Sequence, residues 1–449
     1  MKMKKILIGM ITVAVSLSAL ADYTKISGVM VQQRWPWSRL VDIDYMLVCA
    51  PGDSVDVVVE AYNGSERLDL PAASFSGDLY GVQSGARRIV WDPAGTPYGN
   101  DGVVPEFRVV LTPTPPPLYM IIDLTQSAGA TGQIEYVYEA DLTNGSRGAW
   151  VRDPVTNRGT VVESVIWTGV TTNDLYKTDK LVLRRIPKGT FEMGRATPPE
   201  ISVTLTKDFY TGVFQVTQRQ WELIMGEGEK PSLFKNPDYY ATRPVESISY
   251  DNVRGATNSV PVIDWPETGS LVEPSSFVGM IRAKTGLTNF DLPTRAQWEY
   301  ACRAGTTTYF NDGDASASVA GEDYYTNAWM NVLGRYKFNG GYVDNGGTLV
   351  IPVYATCGSE EGTATVGSYL PNAWGLYDMH GNLYEFCLNW YGTMEGGEDP
   401  KGGASGEYRL IQGGTWDSSG QNCSLASHSR AWPYTRHNMY GVRLVMTLP

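Results

Sequence analysis

The run TPTPPP at residues 112–117 divides this chain. Proline has no amide donor and a fixed φ, so such a run continues neither a helix nor a central strand. It reads as a stiff polyproline stop between domains. The chain has 449 residues, too many for one hydrophobic core, so two or three domains are expected. Before the stop, DSVDVVVEAY alternates, a turn NGSE follows, and then come RLDL, RRIVWD and FRVVLT. Short strands spaced by Gly, Pro and Asn predict a small all-β sandwich over 22–117. After the stop, YMIIDL, IEYVYEADL and SVIWTGV read as strands of a connector over 118–182. The segment KLVLRRIPKGTFEMG then begins a further domain, taken as 183–449.

The N-terminus reads MKMKKILIGMITVAVSLSALADYT. Lys2, Lys4 and Lys5 precede an apolar run from Ile6 to Leu20, and Ala19-Leu20-Ala21 has the small-x-small form of a cleavage site. This is the pattern of a signal peptide over 1–21, with an uncleaved anchor helix as the alternative. The apolar run is short for a comfortable span, which favours cleavage after Ala21. No cysteine stands at that site, which argues against a lipoprotein. The expectation is an exported chain, periplasmic, cell-surface or secreted, with no transmembrane helix once mature. Its formal net charge of -12 argues against a nucleic-acid partner. The five cysteines, Cys49, Cys302, Cys357, Cys387 and Cys423, are widely spaced and odd in number, and no CxxC is present. At least one thiol is therefore unpaired within a monomer, and zinc ligation is not expected.

The second half is loop-rich with short helices. TQRQWELIMG at 217–226 offers Thr217 as a cap, SYDNVRGA offers a second helix start, and LPTRAQWEYACRAG at 292–305 offers Thr294. These segments sit in a longer ordered series. IPKGTFEMG (186–194), FYTGVFQVTQRQWELIMG (209–226) and RPVESISYDNV (243–253) come first. LPTRAQWEYACRAGTTT (292–308), PNAWGLYDMHGNLYEFCLNWYG (371–392), RLIQGGTWDS (409–418) and HNMYGVRLV (437–445) follow. In that order the blocks resemble the formylglycine-generating enzyme/sulfatase-modifying-factor family. The resemblance implies an α+β, C-type-lectin-like fold, poor in regular structure, for 183–449. Fold alone does not set function.

Three sets of residues are singled out. In DMHGNLYE, Asp378 and Glu385 bracket Gly381. Hard cations take several oxygens, some from carboxylates and some from carbonyls. The resemblance implies a Ca2+ held by Asp378, the carbonyls of Gly381 and Leu383, and Glu385. The alternative is a solvated turn whose carboxylates cap backbone amides. A second calcium site near Asn339 in RYKFNGGY is also implied. The second set is Trp221, Trp298, Trp374, Tyr384, Trp390 and Trp416, which reads as core rather than as a ligand cleft. The family's usual Trp-Glu-Trp is Tyr384-Glu385-Phe386 in this chain.

The third set lies in GGTWDSSGQNCSLASH. Active members of the family carry two cysteines, with four residues between them, that bind Cu(I). The resemblance places Cys423 at the first and His428 at the second. A Cys/His pair offers one soft and one harder ligand, which weakens capture of Cu(I). Cys423 is a nucleophile if its thiol is deprotonated, and otherwise a small apolar residue. An iron centre of three histidines, as in a wider branch of the family, is not expected from His380, His428 and His437, because the helical partner domain is missing.

These observations favour a catalytically degenerate, exported binding module for a protein or glycan ligand. Residues 416–441, rich in Trp, Tyr, Ser, Asn and His, have the composition of a versatile contact surface. The alternatives are an oxidase that converts a cysteine of a sulfatase polypeptide to formylglycine, and a calcium-stiffened structural envelope protein.

Overall fold

The computed structural model describes residues 24–35, 37–99, 103–142, 167–194, 200–235, 237–256, 271–313, 329–339, 342–343, 349–350 and 362–449. The expected signal peptide over 1–21 and Cys357 lie outside the described residues. The chain divides into two compact units, Met1–Pro116 with Leu448–Pro449, and Pro117–Thr447.

The first unit holds β1 (Lys25–Gln33), β2 (Val41–Val48), β3 (Asp56–Asn63), β4 (Glu66–Arg67), β5 (Phe75–Gly77), β6 (Gly85–Trp91) and β7 (Phe107–Thr114). They form two sheets, ordered β1-β2-β6-β5 and β4-β3-β7. Strand β2 shows why they pack. Val41, Ile43, Tyr45 and Leu47 are buried, while Asp42 and Asp44 face outward to Arg34 and Arg88. The inward rows of both sheets meet in one cluster that includes Ile43, Val57, Ile89, Trp91 and Leu111. Trp91 stacks on Phe107 with ring centroids 5.1 Å apart. This is the sandwich expected from the alternation. Pro113 lies in β7, an outer strand of its sheet, where a missing amide donor is tolerated.

The second unit is organised by a six-stranded sheet. Its strands are β8 (Tyr119–Asp123), β9 (Ile134–Val137), β10 (Lys180–Ile186), β13 (Phe209–Gly212), β14 (Phe290–Asp291) and β22 (Val445–Thr447), in the order β14-β22-β13-β10-β8-β9. Strands β8 and β9 come from the expected connector, yet β8 pairs directly with β10 and adds four buried residues, Tyr119 to Ile122. Residues 119–137 are thus part of the larger unit's sheet rather than a bridge.

Around this sheet lie β11 (Gly189–Met193) and β12 (Ile201–Leu205) with β18 (Gly397–Glu398), and a hairpin of β15 (Tyr342–Val343) and β16 (Leu349–Val350). A four-stranded sheet is ordered β20-β19-β17-β21, from β17 (Tyr384–Trp390), β19 (Arg409–Gln412), β20 (His428–Ala431) and β21 (Tyr440–Gly441). The helices are α1 (Gln218–Met225), α2 (Tyr250–Arg254), α3 (Phe277–Thr285), α4 (Arg295–Arg303) and α5 (Met330–Leu333). Thr217, Ser249 and Thr294 each accept from the third residue of their helix, whose side chain reaches back to the cap amide. The expected starts of α1, α2 and α4 are therefore reproduced. Helix α4 places Trp298, Ala301 and Cys302 into a core with Ile186, Phe209, Leu376 and Val445.

The aromatic set divides. Trp221 and Trp298 are buried. Trp374, Tyr384, Trp390 and Trp416 are half-buried, with Trp374 against Tyr300 and Trp416 against Phe234.

Candidate functional site

The segment Asp378–Glu385 coils tightly between the sheets. Asp378, Gly381 and Asn382 all have positive φ, at 57°, 85° and 63°. The backbone of residues 334–335 presses on it, and the Asn382 amide donates to the Arg335 carbonyl at 2.7 Å. The Asn382 side chain closes the other side by pairing with the Ala364 backbone in both directions. His380 is buried and donates from Nδ1 to the Cys423 carbonyl at 2.7 Å, while Nε2 accepts the Asn311 amide at 3.2 Å. Burial lowers its pKa to about 4, so the ring is neutral at physiological pH.

Glu385 is fully buried, and nitrogen donors surround its carboxylate. Oε1 accepts from Gln215 Nε2 at 2.9 Å and from Arg443 Nη2 at 2.8 Å. Oε2 accepts from Trp298 Nε1 at 2.6 Å and from Arg443 Nε at 2.9 Å. The cation that faces Glu385 is thus a guanidinium. Gln215 also takes the Leu383 carbonyl at 3.0 Å. This donor set does not fit the calcium cage expected from Asp378, Gly381, Leu383 and Glu385, since two of its four ligands already serve side-chain donors. The same holds at Asn339, whose Oδ1 accepts the Tyr336 amide and whose carbonyl accepts from Arg335. Among the described residues, no group of three His, Cys, Asp or Glu side chains is placed to hold a metal ion.

Gln215 Oε1 is buried without a hydrogen-bond partner among the described residues, and Asp378 is likewise incompletely satisfied. Its Oδ2 accepts the Gly367 amide at 2.7 Å, but Oδ1 is buried without a partner. Burial raises its pKa from 3.8 to about 6, with the Glu385 charge adding to the rise. A raised carboxylate pKa means that the native state binds the proton more tightly than the unfolded chain. Its contribution to stability is therefore complete below about pH 4 and lost as pH rises through about 6. Asp378→Asn, which keeps the shape and removes the charge, is expected to flatten the stability profile between pH 4 and 6. Urea denaturation across that range checks this, and a parallel profile would place the proton elsewhere.

Cys423 and His428 sit in different surroundings. A 3-10 turn, Gly420–Cys423, drives the Cys423 side chain into a cluster with Phe310, Met330, Leu333 and Tyr336. Burial pushes the thiol pKa up to about 12, so no useful fraction is thiolate at neutral pH. His428 opens β20 and is half-buried. Its Nδ1 lies 3.1 Å from the Ala426 carbonyl and 3.4 Å from Arg295 Nη2, and its ring stands 5.9 Å from Tyr391. Cys302 and Cys387 are also buried, and burial raises both thiols. Cys49, Cys302, Cys387 and Cys423 are all free thiols. Native protein treated with an alkylating reagent at pH 8 is expected to leave Cys423 unmodified, and to modify it once urea is added. Peptide mass spectrometry reads this directly, and rapid native labelling of Cys423 would show an accessible thiolate.

The outer side of β20 carries a feature that sequence reasoning located only by composition. The Arg430 guanidinium lies over two rings, 4.5 Å from Tyr408 and 5.3 Å from Tyr391. Tyr408 meets Trp432 at 4.2 Å, and Trp432 stacks on Tyr434 at 5.7 Å. Tyr391 is 38% exposed and Tyr434 65% exposed. The register explains the row: β20 runs antiparallel to β19, with Leu410 opposite Arg430, so Tyr408 and Trp432 fall at the next matching position. The composition of residues 416–441 pointed to a contact surface, but nothing in the spacing said that this segment pairs with the strand beside Tyr408.

Fold and motif together define an α+β domain held by buried arginine–carboxylate pairs, with a ring-and-guanidinium row on one strand. Residues 170–448 match the model of the sulfatase-modifying factor enzyme 1-like domain, and the chain belongs to that family. A chaperone protein, LppX, from Paenibacillus barcinonensis is 29% identical over 256 residues, covering 54% of this chain and 80% of that protein. A formylglycine-generating enzyme from Streptomyces coelicolor is 32% identical over 165 residues, covering 34% of this chain and 45% of the enzyme. The Mus musculus formylglycine-generating enzyme is 31% identical over 128 residues, covering 28% of this chain and 30% of the enzyme. The chain thus spans less than half the length of these two enzymes. Among solved structures, Treponema denticola variable protein 1 aligns with a TM-score of 0.41 and 22% identity, over 60% of this chain and 96% of that one. PvdO from Pseudomonas aeruginosa aligns with a TM-score of 0.43 and 20% identity, over 60% and 94%. No helix among the described residues is long and apolar enough to cross a membrane.

Proposed function

We propose that this chain is an exported, catalytically degenerate member of the family that acts as a binding module. The observation that carries the reading is the state of Cys423: the thiol is buried, protonated and packed among apolar side chains, with His428 serving Ala426 and Arg295 instead. Copper-thiolate oxidation needs soft ligands converging on one ion, with an open position for the substrate thiol and oxygen. A thiol with a pKa of about 12, and with no second thiolate converging on it among the described residues, supplies neither a Cu(I) site nor a nucleophile. The ring-and-guanidinium row of β20 supports a contact role for the same C-terminal segment.

The test is an assay of purified protein with copper, oxygen, reductant and a peptide carrying the sulfatase Cys-x-Pro-x-Arg motif. Mass spectrometry is expected to find the peptide thiol unchanged. Turnover that disappears in Cys423→Ser would restore the oxidase and overturn the degenerate reading.

A further inference from the structure

The row on β20 has a charge balance that points to one kind of ligand. Arg430 is exposed, lies against two rings and forms no salt bridge with a described residue. Two buried guanidinium groups, one on β19 and one on α4, form no salt bridge with a described residue. Arg409 lies over Trp390 at 3.4 Å and donates to the Leu388 carbonyl, while its Nε has no partner. Arg295 reaches His428, and its buried Nε is likewise unpartnered. Burial lowers the Arg409 pKa to about 10, which leaves it cationic at neutral pH. Buried guanidinium groups of this domain fall into two kinds: Arg185, Arg254, Arg303 and Arg443 each hold a carboxylate, while Arg184, Arg243 and Arg335 donate to backbone carbonyls. Arg430 alone of these three is exposed, a surface cation set among rings in a chain of net charge -12.

Resting on the binding-module reading above, we infer that the face built by Tyr391, Tyr408, Arg430 and Trp432 binds an acidic carbohydrate, a pyranose bearing a carboxylate. Ring faces take the apolar C–H face of a sugar, and the Tyr408–Trp432–Tyr434 row offers several in succession. The guanidinium supplies the paired donors that match a carboxylate. Its position between two rings fixes the plane of that fork, so little side-chain freedom is lost on binding. The contact is made by side-chain faces and a single charge type, which suits a repeating sugar acid.

The experiment is affinity electrophoresis and calorimetry of the full chain with polygalacturonate, with dextran as a neutral polysaccharide and polyglutamate as an acidic peptide. Polygalacturonate is expected to bind, and dextran and polyglutamate to bind at least about tenfold more weakly, because each lacks either the anion or the sugar face. Arg430→Gln and Trp432→Ala are each expected to weaken polygalacturonate binding about tenfold, with Arg430→Lys keeping part of it. Unchanged thermal melts show that the variants are folded. Equal binding of dextran, stronger binding of polyglutamate, or full binding by both variants would overturn the acidic-sugar inference while leaving a binding module in place. No retention of polygalacturonate at all would also overturn it. Copper-dependent turnover in the peptide assay is the separate result that removes the binding-module reading itself.

Discussion

Arg443→Met is expected to destabilise the family domain by about 3–5 kcal/mol, the scale found when one member of a buried ion pair is removed. Arg443 and Glu385 are both essentially inaccessible. The guanidinium does more than pair with Glu385. It donates to the Gly212 carbonyl at 2.8 Å, the Val213 carbonyl at 3.1 Å and the Tyr377 carbonyl at 2.8 Å. Its loss leaves one uncompensated carboxylate and three carbonyls without that donor. Glu385→Gln in the same chain removes the orphaned charge and is expected to recover part of the loss. Urea denaturation followed by tryptophan fluorescence measures both variants. The same measurements with calcium and with chelator test the cation at Glu385. With a guanidinium there, Glu385→Ala is expected to cost the same in both conditions, and a larger cost in calcium would restore the cage. A loss below about 1 kcal/mol for Arg443→Met would show that the pair is solvated rather than buried.

The second large effect is steric. A Cβ on Gly334 would lie 1.6 Å from the His380 carbonyl oxygen, and one on Gly381 would lie 2.0 Å from the Arg335 carbonyl oxygen. Both obstacles are backbone, so no rotamer change relieves them. Gly381 adds a φ of 85°, in the left-handed region where a side chain is strained. Either alanine variant is expected to cost at least about 4 kcal/mol, enough to leave little folded protein. Gly392, with nothing within 4 Å of its Cβ position, is the control: its alanine variant is expected to stay within about 0.5 kcal/mol. Soluble yield and denaturation midpoints distinguish these outcomes, and a stable Gly334→Ala would mean that the two loops separate easily.

What the sequence revealed depended on the range of the interaction. Thr217 and Thr294 were legible as caps because each bonds an amide three residues on. The sandwich was legible because strand alternation is local. The partners of Glu385 were not, since Arg443 lies 58 positions later and Gln215 lies 170 positions earlier. A carboxylate in a glycine-rich turn looks the same in sequence whether a metal or a guanidinium faces it. Cys423 and His428 were grouped by the family resemblance, but a turn followed by a strand start gave one to the core and left the other half-buried. Residues 119–137 looked like a connector because short strands do not announce the sheet that they join.

The position of β22 bears on the order in which the chain is made. Its three residues, Val445–Thr447, lie between β14 and β13, next to one edge of the six-stranded sheet. Arg443, just ahead of it, holds the carbonyls of Gly212 and Val213. A growing polypeptide therefore lacks the strip that joins β14 to this sheet until residues 443–447 have been added. A chain cut before Arg443 lacks that strip, and β14 is left without its partner strand.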